Sequence, residues 1–248
     1  MIIDGLAFIT EPSGPGSVAA LLTNMADLGI SRTIVCASQG ADGMSPNART
    51  AEAVRQDPDR LTGLARVSPR MRDWRGEVDQ YGDDPNFAGI LLHPWEDGFA
   101  ILDPGAREII ERCAAKGLPV TVAAGYPWRC EALQIGLLAD KFPTTSFILT
   151  NEGQLNISGL GAVDVMLVLD RAPNVVLHTT GAYREDFLVS LVAQYGPGRL
   201  MYASGYPRFS PEYELRRIQW AGSISAAAKE HILSATAGVV FGVQAAQG

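Results

Sequence analysis

Between Phe87 and Pro127 the chain spells out one complete strand, helix, strand unit, and this unit restricts the possible folds more than any other feature. Ala88-Gly-Ile-Leu-Leu-His-Pro-Trp95 is a short apolar run stopped by proline, as expected of a strand buried on both faces whose last residue, His93, reaches a mouth. Asp103 and Pro104 then open a helix with Ile109, Ile110 and Cys113 on its inner side, and Gly117 closes it. Leu118 to Tyr126 is the next strand, again apolar and ending in glycine and an aromatic. Parallel strands joined by a helix collect their functional groups at the carboxyl ends of the strands.

The same alternation recurs eight times. Strands are expected at Ile2 to Ile9, Arg32 to Ala37, Leu61 to Pro69, the two above, Ser146 to Thr150, Pro173 to Thr180 and Arg199 to Ser204. Helices fall between them, closed by signals such as Gly29, and two more follow the last strand. The segment near Trp74 to Tyr81 is the weakest helix by pattern. A length of 248 residues and 47% hydrophobic content suit one (β/α)8 TIM barrel, so residues 1–248 are read as a single α/β domain with extra C-terminal helices.

Charge excludes some classes of function. The net charge of −7 comes with no basic run or stripe, so neither nucleic acid nor an anionic membrane surface is an expected partner. No apolar run approaches the roughly 18 residues of a membrane span, and Met1-Ile-Ile-Asp4 turns charged at once, so a cytoplasmic location is expected. Three cysteines without CxxC spacing argue against a disulfide framework or a cysteine zinc site.

The wording of the Phe87 to Pro127 unit resembles the amidohydrolase-2 family of metal-dependent barrels, which includes hydrolases, lactonases and decarboxylases. There the text runs roughly Gly-Ile-Lys-Leu-His-Pro, a helix, then Pro-Val, two hydrophobic residues and His-Thr-Gly. The stretch Asn47 to Pro69 and the tail around Lys229 to Leu233 and Val239 to Gly242 are similar to the same family. The resemblance implies a divalent metal held from several strand ends, with one position open for water. Here the implied ligand positions hold other residues: Leu6 and Phe8 in place of the Asp-x-His-x-His histidines, Ala123 and Asn151 in place of histidines, and Gly205 in place of an aspartate. Apolar side chains cannot ligate zinc, so neither a metal nor any other cofactor is expected.

What remains at the strand ends sets the candidate site. His93 and His178 are the candidate acid and base of a metal-independent reaction, each with the alternative of a structural, hydrogen-bonded histidine. Trp95, Tyr126, Asn151, Glu152, Tyr206 and Arg208 are the candidate ligand-binding residues, with Glu152 also able to pair with Arg184 or Arg208. Cys36 reads mainly as a small buried hydrophobe and His231 as a solvated residue of a tail helix. Three functions stay open: a catalytically degenerate barrel serving as a structural or regulatory subunit beside an active amidohydrolase-like partner, a metal-independent hydrolase, lyase or decarboxylase, and a small-molecule binding protein. A homo- or hetero-oligomer is expected, with the aromatics after the strand ends meeting another subunit.

Overall fold

The computed structural model describes residues 1–38, 44–154, 160–181 and 184–244. Eight strands, β1 (Ile3–Ile9), β2 (Arg32–Ala37), β3 (Leu61–Arg66), β4 (Phe87–Leu92), β5 (Val120–Val122), β6 (Phe147–Leu149), β7 (Val175–His178) and β8 (Leu200–Met201), form one sheet in sequential order, each pair parallel. After β8 the backbone returns to β1, where Gly5 N donates to Tyr202 O at 2.8 Å, Gly205 N to Leu6 O at 2.9 Å and Phe8 N to Tyr206 O at 2.7 Å. The sheet thereby curls into a (β/α)8 barrel.

The helices alternate with the strands: α1 (Val18–Leu28), α2 (Pro46–Gln56), α3 (Trp74–Gly82), α4 (Pro104–Lys116), α5 (Ala132–Lys141), α6 (Leu160–Arg171), α7 (Glu185–Tyr195) and α8 (Pro211–Trp220). Their ends follow local chemistry. Ser17, Ser45 and Ser210 cap helices through their hydroxyls, and Gly29 and Gly117 take the left-handed conformation that ends α1 and α4. Asp103 behaves differently from the expected cap: its carboxylate accepts from Ala100 N, in the turn before α4, at 3.0 Å.

Strand parity divides the core in two. Residues such as Val35, Ile90, Val120 and Leu149 face the helices, while Leu6, Ile34, Cys36, Leu64, Leu91, Ile148, Val176 and Met201 fill the barrel. The tail helices α9 (Ala226–Glu230) and α10 (Thr236–Phe241) flank a π turn, and Ala237 and Phe241 complete the inner cluster. Arg32 Nε donates to Gln244 O at 2.7 Å, which holds this tail against the start of β2 and leaves the opposite end as the mouth.

Two strands are shorter than their apolar runs. Pro119 has no N–H to give β5, and beyond Val122 the amide of Ala124 donates to Thr150 Oγ1, so only three residues keep the ladder. Past Met201, Tyr202 N donates to Ile232 O in the π turn rather than to a strand.

Candidate functional site

At the mouth, charged groups from the ends of β3, β4 and β8 meet on one carboxylate. Arg66 is the last residue of β3, and its backbone is held by the buried Asn47, whose side chain accepts from Arg66 N at 2.6 Å and donates to Arg66 O at 2.9 Å. The Arg66 side chain is only 2% exposed. Its guanidinium donates twice to Asp97, Nε at 3.2 Å and Nη2 at 2.7 Å, and Nη2 lies 3.0 Å from Glu96 Oε2. Planar, two-pronged pairing of this kind suits arginine and not lysine.

His93 follows β4 and is buried. Its Nδ1 accepts from Glu96 N at 3.3 Å, which leaves the ring proton on Nε2, 3.4 Å from Glu96 Oε1. Burial holds its pKa below the usual histidine value, against the opposing pull of Glu96. Arg208, after β8, donates from Nη2 to the same Glu96 oxygen at 3.1 Å. Tyr126 lies beside Arg208, and burial raises its phenol pKa against the pull of that cation. Its ring centroid is 6.0 Å from that of His93 and 5.2 Å from that of Trp95, which stacks on it at 10°. Two cavities open beside this cluster. One, of about 300 Å³, is lined by Arg66, Ser68, Arg70 and Glu96; the other, of about 260 Å³, by Phe8, Thr10, Glu96 and Arg208.

The structure thus brings His93, Trp95, Tyr126 and Arg208 together, while His178, Glu152 and Tyr206 are buried apart from them. His178 points into the barrel, is 0% exposed, and has no hydrogen bond at either nitrogen; burial pushes its pKa down to about 3. Asn151 and Glu152 form a turn in which both residues have positive φ, 54° and 51°. Glu152 is fully buried with neither carboxylate oxygen paired, and the charges acting on it are Arg217 and Glu214 of α8, neither of them across the mouth. Arg184 pairs with Asp186 instead. Tyr206 is packed into the outer core. Cys36 is buried, which raises its thiol pKa to about 12 and keeps it in the weakly nucleophilic thiol form.

Arg66, Glu96 and Asp97 were missed by pattern reading. Their signal was present: an arginine ending the apolar run Leu61 to Ala65, and two acids directly after the proline-stopped strand.

The family model described as Amidohydrolase matches residues 14–243. The chain belongs to the amidohydrolase family. Among solved structures it is similar to 5-carboxyvanillate decarboxylase from Sphingomonas paucimobilis, at 15% identity and a TM-score of 0.74 over 98% of this chain and 99% of that one. It is likewise similar to a probable 2-pyrone-4,6-dicarboxylic acid hydrolase from Acinetobacter baumannii, at 14% identity and 0.75 over 98% and 99%. An amidohydrolase from Burkholderia multivorans with bound zinc matches at 16% identity and 0.75 over 98% and 100%. At such identities the likeness is one of fold. No curated protein matches the chain.

The residues of this amidohydrolase-family chain do not fit the metal that the family implies. Leu6 is buried among the apolar side chains that fill the barrel, with Phe8 packed against them. Ala123 offers no donor atom, and the amide of Asn151 donates to Thr150 Oγ1 at 3.1 Å. Asp4 stands where the first motif begins; its Oδ1 accepts from Ser204 N at 2.8 Å and Leu6 N at 3.2 Å, while its Oδ2 is buried without a hydrogen-bond partner and has no imidazole from Leu6 or Phe8 to join it. Gly205 has φ +63°, and a Cβ there would lie 2.5 Å from Thr180 Cγ2 and 2.9 Å from the Phe209 ring. Among the described residues no group of three or more His, Cys, Asp or Glu side chains is placed to hold a metal ion.

A substitution tests this packing. Gly205→Asp is expected to destabilise the fold by about 2–4 kcal/mol, through left-handed strain and overpacking, without conferring zinc binding. Urea denaturation together with zinc titration reads both effects; an unchanged midpoint would show that the space is free.

Proposed function

We propose that this chain is a metal-free amidohydrolase-family barrel that serves as a structural or regulatory subunit beside a metal-bearing relative. The observation that carries this reading is the packing at the implied ligand positions, where Leu6 and Phe8 join an apolar cluster and Gly205 sits in a space too small for an aspartate. Water activation by a divalent ion needs imidazole or carboxylate donors around an open coordination position, and these residues supply none. The surface supports a partner. Leu133 and Leu137 of α5 and Leu167 of α6 are each 44–51% exposed around a largely apolar groove of about 350 Å³, and Trp128, in the turn leading into α5, is 85% exposed. Apolar side chains grouped in this way are typical of surfaces covered by another protein.

A second reading, a metal-independent enzyme or a small-molecule binding protein, is favoured by the mouth cluster. Burial favours the neutral form of His93, which contacts Glu96 at the edge of both cavities, and release of the Glu96 N–H from Nδ1 would free the lone pair that a general base requires. His178 cannot assist it as an acid without an opening of the barrel, because the ring is sealed from solvent.

Elemental analysis of the purified protein, followed by light scattering alone and with a metal-bearing homologue, tests the proposal. Expected are far less than one metal per chain and a complex of the two chains. A stoichiometric metal whose removal abolishes hydrolysis or decarboxylation would overturn it. A strictly monomeric protein that forms no complex and turns over a metabolite after chelation would favour the second reading.

A further inference from the structure

We propose that Glu96 is a built-in plug in a carboxylate-binding cradle, and that a small carboxylic acid with a planar apolar body binds at the mouth by displacing it. Three donors from separate parts of the barrel converge on the Glu96 carboxylate: Arg66 at 3.0 Å, Arg208 at 3.1 Å and His93 Nε2 at 3.4 Å. Donors brought together across the fold recognise the carboxylate group itself, whichever molecule carries it.

The plug is less firmly held than its cradle. Arg66 is anchored by its two-pronged pairing to Asp97, so its position does not depend on Glu96. The Glu96 side chain is 34% exposed and sits in a turn beyond β4, whereas that of Arg66 is 2% exposed at a strand end. Glu96 also lines both mouth cavities, so its withdrawal would join spaces of about 300 and 260 Å³, in the range of small-molecule sites. Arg66 Nη1 is buried without a partner, a spare donor that buried polar groups rarely leave unused. Next to Arg208, the stacked rings of Trp95 and Tyr126 offer a flat apolar wall for the body of the acid.

Exchange of one carboxylate for another leaves the net charge of the cradle unchanged, so the incoming acid meets no uncompensated cation. The cost is competition: apparent affinity falls by the fraction of molecules in which Glu96 has swung out. The exchange requires neither a metal nor a partner chain, and it therefore goes beyond the role proposed above.

Titration calorimetry at pH 7 with benzoate as probe, and neutral benzamide as control, tests the plug. Glu96→Ala should bind benzoate at least about tenfold more tightly than the unsubstituted protein, because the internal competitor is gone. Benzamide should bind neither form, and adding Arg208→Ala should remove the gain. Where Glu96→Ala does not fold by circular dichroism, Glu96→Gln replaces it, since an uncharged amide competes weakly for guanidinium groups. A folded variant that binds benzoate no better than the unsubstituted protein, or binds benzamide equally well, would overturn the proposal.

Discussion

Replacing Asp97 with alanine is expected to destabilise the barrel by about 3–5 kcal/mol, the largest single-residue effect foreseen at the mouth. Arg66 is almost entirely shielded from water, and its charge is compensated chiefly by Asp97, whose side chain is 10% exposed. Removing the aspartate leaves a buried guanidinium that, among the described residues, still pairs with Glu96. Arg66→Met should cost much less, because it removes the cation together with its need for a partner, although it leaves Asp97 to find water. The exposed pair Arg75 and Glu108, with side chains 59% and 50% exposed, gives the contrast: cutting it should cost at most about 1 kcal/mol. Urea denaturation, read as a shift in midpoint at constant slope, separates the three cases. Equal losses for Asp97→Ala and Arg75→Ala would mean that the Arg66 site is wetter than its geometry indicates.

Glu152→Gln is expected to change the dependence of stability on pH. Burial raises the Glu152 pKa from the ordinary 4.5 to about 8, with Arg217 opposing and Glu214 reinforcing the effect. A carboxyl with a raised folded pKa contributes its full stability below the unfolded value. That stability is lost between pH 4.5 and about 8, where the unfolded chain has released a proton that the folded chain still holds. The interval corresponds to at most about 5 kcal/mol. Glutamine cannot ionise, so the variant should gain relative stability from pH 5 to pH 8.5, by about 2–4 kcal/mol. Glu214, raised to about 7, and Asp4, raised to about 6, act in the same direction and remain in both proteins. His178 acts on the other side: its folded pKa of about 3 costs stability as the pH falls from 6.5 towards 3. Thermal melts of both proteins across pH 4 to 9 measure the difference; parallel curves would show that Glu152 ionises freely in the fold.

Both effects concern groups whose roles were hidden in the linear pattern. Asn151-Glu152 follows β6 directly, and by position it belongs to the mouth. Two consecutive positive φ angles, however, turn the Glu152 side chain into the layer shared with α8. His178 ends β7 as His93 follows β4, and the two look equivalent by position. Inside the fold one borders two cavities through Glu96, while the other lies sealed within the barrel.

The amino-acid order by itself determined the eightfold alternation, the serine and glycine helix ends, the family and the absence of ligand side chains at five implied metal positions. These are properties of short segments: a period of two or 3.6 residues, a cap, a proline stop. Only the tertiary structure decided that Arg66, His93 and Arg208 share one carboxylate, since barrel closure brings together groups as far apart in the chain as residues 66 and 208. It likewise decided which polar groups lost water. Desolvation is set by all the neighbours of a side chain at once, and no local pattern along the chain encodes that sum.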